Sequence, residues 1–357
     1  MSRAEGVPQR PETQHLLDCI FGAWRTQAIH AAIDLGVVEH LQATATTASD
    51  LAEKLSLNAE STVRLLNALC ALGICHCPES GLFQLTPTGR LLTHVGIDGI
   101  SMRALTLWWS GPMWQLWPGL PYSVRSGKSY REVLTGDANY GHLERSSESA
   151  VMFHESMRAL TALVAPSVAK LAIWKQVRSF VDVGGGSGEL ALTLLREYPH
   201  LSATVVDLPH AQGAALQHIA SCGLTSRCQF VEGSFFDQLP HGADVYLLKS
   251  ILHNWDDLRA SLILRACRSA ARLVTRLILV ERILPEVAQI QRNDEAVVRA
   301  DLNMLTGLGG RERTLKDYRN IIKSCGFRYL DIYPTDFEFS VIEATVDASL
   351  GMVEQST

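Results

Sequence analysis

Two hydrophobic rhythms divide the chain, with the change falling near Trp174. In residues 16–41, "LLDCIFGAWRTQAIHAAIDLGVVEHL", Leu17, Phe21, Trp24, Ala28 and Ala32 share one helical stripe, and the helix is expected to end near Gly36. A short helix, a turn, a second helix from Asn58 to a stop at Gly73, and a two-stranded wing turning at residues 79–81 follow as a winged-helix pattern. Residues 99–170 read as helical and hold Trp108, Trp109, Trp114 and Trp117 with Met113 among them. Those rings suit a core, a subunit interface or the wall of a site for a flat ligand, and residue type alone does not choose.

Beyond Trp174 short apolar runs alternate with helical segments. "SFVDVGGG", "SATVVDLP", "CQFVEGSFF", "ADVYLLKSIL" and "RLILVERIL" read as strands, with helices at "GELALTLLREYP", 210–220 and 259–273 between them. A helix over 315–325 and two closely spaced strands, "FRYLDIYP" and "FSVIEATV", complete the chain. This alternation predicts an α/β fold: a Rossmann-like, doubly wound, mostly parallel sheet ending in a hairpin with one antiparallel strand. The expected organisation is a flexible tail at 1–14, a winged-helix-like domain at 15–98, a helical pocket segment at 99–170 and a catalytic domain at 171–357.

Composition narrows the partners. With 37 acidic against 32 basic residues the formal charge is −5, which argues against a polyanion as principal partner. The helix over 59–72 offers only Arg64 and Asn67 beside the acidic Glu60, too little to neutralise several phosphates of a DNA groove. No apolar run reaches the ~18–20 residues of a membrane span, and the polar N-terminus lacks an apolar signal segment. Cys70, Cys75 and Cys77 lack the paired spacing of a zinc site, so the eight cysteines are expected as reduced core residues of a cytoplasmic protein, with no metal bound.

In a doubly wound sheet the ligand sits beyond the carboxyl ends of the strands. The first strand–helix turn here is "VDVGGGSGEL". A phosphate-cradling P-loop would need GxxxxGK, and no lysine is present. The dinucleotide fingerprint GxGxxG fails because Glu189 stands at its third glycine. What remains is Asp182, then Gly184, Gly186 and Gly188 as GxGxG, the pattern of enzymes that bind S-adenosyl-L-methionine. That cofactor carries an ammonium group, a carboxylate and a ribose with two hydroxyls. Asp207, ending the second strand, is placed to accept from both hydroxyls. On the fourth strand, "LLKSILHNWDD" ends an apolar run in His253, an imidazole whose ordinary pKa near ~6.5 makes it a candidate base.

Together "VDVGGGSGEL", "VVDLPH", "LLKSILHNWDD", "VERILP" and "GGRERTLKDYRNIIKSCGF" resemble the small-molecule O-methyltransferases of the caffeate/hydroxyindole type, including bacterial enzymes that tailor aromatic natural products. The similarity runs from about residue 16 to 346. It implies a homodimer with intertwined N-terminal helices. His253 would be the general base for the acceptor hydroxyl, flanked by Glu281 and Glu312, and the oxygen would attack the sulfonium methyl in line. Gly184, Gly186, Asp207 and Lys249 match cofactor-binding positions. Ser234 and Phe235 stand where relatives have an acidic residue and then Met or Phe against the adenine; serine lacks the carboxylate acceptor. Asn254 likewise replaces a common aspartate. Phe153, Met157, Asp301 and Met304 match positions lining the acceptor site, and Trp108 is added as a candidate wall. Trp255 and Asp256 are better read as ring packing and a helix cap, with Arg313 and Thr314 starting the next helix. Three other functions remain open: N-methylation of a phenazine-like heteroaromatic nitrogen, a relative that uses the bound cofactor for another reaction, and a DNA-binding regulator.

Overall fold

The computed structural model of the protein describes residues 11–78, 81–137 and 140–349. Two compact units meet in the chain between Pro112 and Met113.

The first unit opens with α1 (Pro11–Asp34), α2 (Val37–Ala43), α3 (Ala48–Lys54) and α4 (Ala59–Ala71). Proline is tolerated in a first helical turn, so α1 takes in residues 11–14, which were expected in the tail. Residues 1–10 lie outside the described residues. The expected stop near Gly36 is a break between α1 and α2, with Gly36 at φ 74°. Asn58 caps α4 by accepting from the Ser61 amide. The wing pairs β1 (Cys75–His76) with β2 (Gln84–Leu85) antiparallel, and the turn at 79–81 falls largely outside the described residues. After α5 (Pro87–Arg90) comes α6 (Arg103–Ser110). It packs on α1: Gln27 donates to the Ser110 carbonyl at 3.1 Å and His30 Nδ1 lies 2.7 Å from Ser110 Oγ. These bonds account for the division falling at 112 rather than at 98, and they place Trp108, buried, in the first unit.

The second unit begins with a 3-10 turn at Trp114–Gly119 and the helices α7 (Leu120–Ser126), α8 (Tyr130–Thr135), α9 (Gly141–Glu144) and α10 (Ser147–Ala169). Its sheet contains β3 (Ser179–Val183), β4 (Ser202–Asp207), β5 (Cys228–Glu232), β6 (Val245–Lys249), β7 (Arg276–Arg282), β8 (Phe327–Pro334) and β9 (Phe339–Val346). The order is β5-β4-β3-β6-β7-β9-β8, and β9 alone runs antiparallel to its neighbours. Successive strand residues point to opposite faces. Leu247, Ile278 and Val280 accordingly enter one core cluster, while Tyr246, Leu248, Leu277 and Leu279 enter the other. Helices α11 (Glu189–Glu197), α12 (Pro209–Ser221), α13 (Asp257–Ala270), α14 (Glu295–Gly307) and α15 (Leu315–Ser324) follow the strands. α14 is an element beyond those expected from the sequence, and Gln291 and Asp294 form a capping box just ahead of it.

The strand order reverses between β3 and β6, and such a switch point opens a crevice at the carboxyl ends. Asp256 caps α13, as expected. Thr314 caps α15 in a reciprocal pair with Asp317, but Arg313 is a buried side chain rather than a helix start. Of the cysteines expected in the core, Cys19 and Cys77 are exposed. Loss of the cap in Thr314→Ala is expected to cost about 1 kcal/mol, read from the midpoint of urea unfolding; an unchanged midpoint would contradict the capping role.

Candidate active site

Four adjacent strands deliver the site from their carboxyl ends. β3 leads into the glycine turn, β4 ends at Asp207, β6 at Lys249, and β7 carries Glu281. Gly184, Gly186 and Gly188 take φ values of 70°, 56° and 77°, a region that side chains other than glycine rarely adopt. A Cβ on Gly184 would also run into Ile251, and would stand 3.4 Å from the Phe235 ring. The turn is therefore a bare backbone cradle with Phe235 beside it, and Trp255 meets that ring edge-on at 6.0 Å. Asp207 Oδ2 accepts from the Gly186 amide and Oδ1 from the Leu208 amide, each at 2.7 Å. Those bonds aim the carboxylate and leave each oxygen a second lone pair for a ligand hydroxyl. Below the turn Asp182 is buried, with Oδ2 unpartnered; burial first, then the Asp207 charge, pushes its carboxyl up to about 7. Lys249, expected to touch the cofactor, is brought down to about 8 by burial and then by Arg282, and its Nζ donates to Ser250 Oγ at 3.2 Å. Ser234 uses its hydroxyl to accept from the Phe236 amide. A cradle without Cβ atoms, an aimed carboxylate and an adjacent aromatic ring fit a nucleoside-bearing cofactor with an amino-acid tail.

His253 stands in a 3-10 turn, Leu252–Asn254, just past β6, and is only 5% exposed. The strand stops because Ser250 turns left-handed at φ 56°. Glu281 Oε1 then accepts from the Ile251 and Leu252 amides at 3.0 and 2.8 Å, fixing the turn from the β7 side. From the other side, residues 309–313 close on the same turn. The Arg311 amide donates to the His253 carbonyl at 2.8 Å. Arg313, 1% exposed, donates to the Leu252 and Trp255 carbonyls at 2.7 Å each and to Asp257. Gly310 has no space for a Cβ, which would lie inside the His253 and Asn254 backbone.

This grip sets the ring. His253 Nδ1 lies 3.0 Å from Glu312 Oε1 and 3.9 Å from Glu281 Oε2. A proton on Nδ1, facing Glu312, puts the basic lone pair on Nε2. Burial works to lower the imidazole pKa, but Glu312 and then Glu281 outweigh it, and the net direction is upward from 6.5. Burial also raises Glu281. Asp301 has one oxygen 2.8 Å from the Glu312 amide, which makes it a support for Glu312 in addition to a candidate acceptor contact. Phe153 and Met157 lie four apart on α10, and Met304 is buried on α14.

Several groups here escaped the sequence reading. Arg313, expected at a helix start, grips the turn instead, and the "GG" before Arg311 is the sequence signal that a backbone approaches closely there. Tyr140 shares a side-chain hydrogen bond with Asn254, next to His253, and packs against Phe153 at 5.7 Å between centroids. His154 Nε2 and His210 Nδ1 are 2.8 Å apart beside the glycine turn, so one supplies the proton and the other the lone pair. Burial, then His210, takes His154 down to about 4.

A bare glycine cradle, an aspartate at the second strand end and a carboxylate-supported histidine across the crevice define a class I methyltransferase domain. Comparison with known proteins gives the family. Residues 117–328 match the model of the O-methyltransferase domain, and residues 17–94 that of the O-methyltransferase dimerisation domain. The chain belongs to this family of natural-product-tailoring O-methyltransferases, which use S-adenosyl-L-methionine. A phenazine O-methyltransferase, PhzM of Lysobacter antibioticus, is 31% identical over 345 residues, covering 96% of this chain and 98% of its own. The aclacinomycin 10-hydroxylase RdmB of Streptomyces purpurascens is also 31% identical, covering 96% and 94%. Among solved structures, LaPhzM superposes with a TM-score of 0.87 at 30% identity, covering 94% of this chain and 100% of that one. The O-methyltransferase NcsB1 from neocarzinostatin biosynthesis, solved with S-adenosylmethionine and 2-hydroxy-5-methyl naphthoic acid, gives 0.74 at 32% identity, covering 90% and 95%.

Two substitutions test this geometry. Asp207→Ala is expected to weaken cofactor binding by about 10- to 100-fold in calorimetry, the equivalent of losing hydrogen bonds to a charged group; unchanged affinity would reject the ribose role. Arg313→Met leaves two buried carbonyls without partners and is expected to destabilise the fold by ~3 kcal/mol or more; a loss under ~1 kcal/mol would show that the grip is dispensable.

Proposed function

We propose that the protein methylates a hydroxyl group on a small aromatic metabolite, with His253 as the general base. The observation that carries this reading is the 3.0 Å contact between His253 Nδ1 and Glu312, in a turn that Glu281 holds from behind. When bound, S-adenosyl-L-methionine supplies a methyl group already activated by the sulfonium charge. The protein's own task is then to align an oxygen, exclude water and take one proton at Nε2. A phenol with an ordinary pKa of ~10 does not yield its proton to a free imidazole readily, and the upward shift of His253 narrows that gap. Phe153, Met157 and Met304 are assigned to the acceptor site and Gly184, Gly186, Asp207, Phe235 and Lys249 to the cofactor. Relatives whose names carry a phenazine or a hydroxynaphthoic acid support a flat ring as acceptor.

We further propose a cytoplasmic homodimer. In α1, Leu16, Ile20 and Trp24 are 60%, 56% and 68% exposed, an apolar stripe that runs into the matched dimerisation domain. The eight cysteines are free, and among the described residues no helix is long and apolar enough to cross a membrane.

A second reading has one observation in its favour, the 31% identity to a hydroxylase. Transfer of a labelled methyl group to a panel of phenols, catechols, phenazines and hydroxyquinones separates the two. The same assay separates oxygen from nitrogen as the acceptor atom.

His253→Ala is expected to lower kcat by on the order of 10²–10⁴-fold with cofactor affinity unchanged, and intact turnover would remove the base assignment. The pH profile is a sharper check. Only the neutral imidazole accepts the proton, and the carboxylates raise its pKa, so activity should fall as pH drops through a value above 6.5. Glu312→Gln leaves burial opposed by one charge fewer, so the acid limb should move to lower pH while kcat falls; a limb that stays in place would contradict the pairing. Ligand atoms of His253, Glu281 and Glu312 lie within 4.8 Å of one another, a spacing that a cation could also bridge. We read the cluster as handling a proton, because Glu281 Oε1 already accepts from two amides. A chelator should leave turnover unchanged, and loss restored by a divalent cation would reverse that reading.

A further inference from the structure

One buried charge in the second unit has no use in the chemistry above. Arg131, near the start of α8, is 6% exposed. Its Nη2 donates to the Met113 thioether at 3.3 Å, and its Nη1 lies 3.3 Å from His142 Nε2, which must be the lone-pair nitrogen to accept. Neither partner is a carboxylate, and among the described residues no ion pair includes Arg131. Two acidic groups face it, Tyr140 and Asp137, and neither lies within ion-pair distance of the guanidinium. Asp137 is paired with Arg145 at 3.4 Å. The Tyr140 phenol is pushed well up by burial, so it stays neutral. Burial lowers the Arg131 pKa as well, yet a guanidinium starts too far above pH 7 to escape by losing its proton. A buried cation with no carboxylate hydrogen-bonded to it is costly, and an anion placed against it would recover that cost.

The position of the guanidinium says where such an anion would come from. A Cβ on Gly307 would stand 3.6 Å from Arg131 Nη2, so the charge lies against α14. Gly307 is three residues after Met304 and four after Asn303, on the same helical face. Met304 is assigned to the acceptor site. Asn303 is buried with Oδ1 unpartnered, and its amide can turn to present either end to a polar ligand group. Tyr140 also interacts with Arg131 and hydrogen-bonds Asn254, which links the neighbourhood of Arg131 to the His253 turn.

We infer that Arg131 is the specificity-determining residue of the acceptor site, and that the acceptor is a hydroxyaryl acid whose carboxylate pairs with this guanidinium. The inference rests on the acceptor site proposed above and deepens it. Arginine suits the task because its fork presents two parallel N–H donors to a carboxylate, although Met113 and His142 now occupy those donors and would have to yield or share them.

Binding tests this without requiring turnover. The protein loaded with S-adenosylhomocysteine is titrated with 3-hydroxy-2-naphthoic and 6-hydroxy-2-naphthoic acids and with the methyl ester of each. At least one acid is expected to bind about 10-fold or more tightly than its ester. In Arg131→Met the acid should lose that advantage while ester affinity stays within about 2-fold, and Arg131→Lys should keep part of it. Equal affinity of acid and ester in the unaltered protein, including no measurable binding of either, overturns the inference even if Arg131→Met fails to fold. An advantage that survives in a folded Arg131→Met overturns it too. Methyl transfer is scored separately: esters methylated without any preference for acids would leave the proposed function standing and remove Arg131. Acids bound through Arg131 with no methyl transfer to any acceptor would do the reverse.

Discussion

The site depends on how one loop grips one turn. Residues 309–313 hold three carbonyls of the stretch after β6, at Leu252, His253 and Trp255, through the Arg311 amide and the Arg313 guanidinium. The same loop carries Glu312, which meets the imidazole between those anchors. Backbone position and ring orientation are thereby set by one segment, so neither can drift without the other. Gly310 is the condition for this closeness, since any side chain there would collide with the His253 backbone.

Burial gives that grip its chemical effect. Glu312, Glu281 and Arg313 are all buried, and charges removed from water interact strongly while tolerating no unpaired partner. The two carboxylates raise the basicity of His253 against the opposing effect of burial. Arg313 is offset by Asp257 and two carbonyls. Arg131 differs in kind: it too is buried, yet its side-chain hydrogen bonds go to a thioether and an imidazole.

The sequence was legible where a single local rule decides the outcome. Short apolar runs such as Val245 to Leu248, alternating with helical segments, read as strands covered on both faces, and the GxGxG turn announces a backbone approached closely by a ligand. Asp207 and His253 stood at strand ends, where a doubly wound sheet puts its chemistry. Less was legible where residues distant in the chain decide together. Arg313 looks like an ordinary residue ahead of a helix, and its burial follows only once the loop folds over the 252–255 turn. The unit boundary moved because α6 bonds to α1 across some eighty residues, a pairing that no local pattern announces. The histidines at 154 and 210 are ordinary polar residues until α10 and α12 bring them to 2.8 Å. α14 differs, since the residues of the capping box ahead of it, Gln291 and Asp294, stand close together in the sequence.

The tautomer of His253 can be observed directly. Long-range nitrogen–proton correlation spectra of histidine-labelled protein, assigned by difference with His253→Gln, report which ring nitrogen bears hydrogen and at what pH the second proton arrives. The arrangement described here requires hydrogen on Nδ1, a lone pair on Nε2 and protonation at a pH above 6.5. Hydrogen on Nε2 in the neutral ring, or protonation below 6.5, would mean that Glu312 does not orient the base.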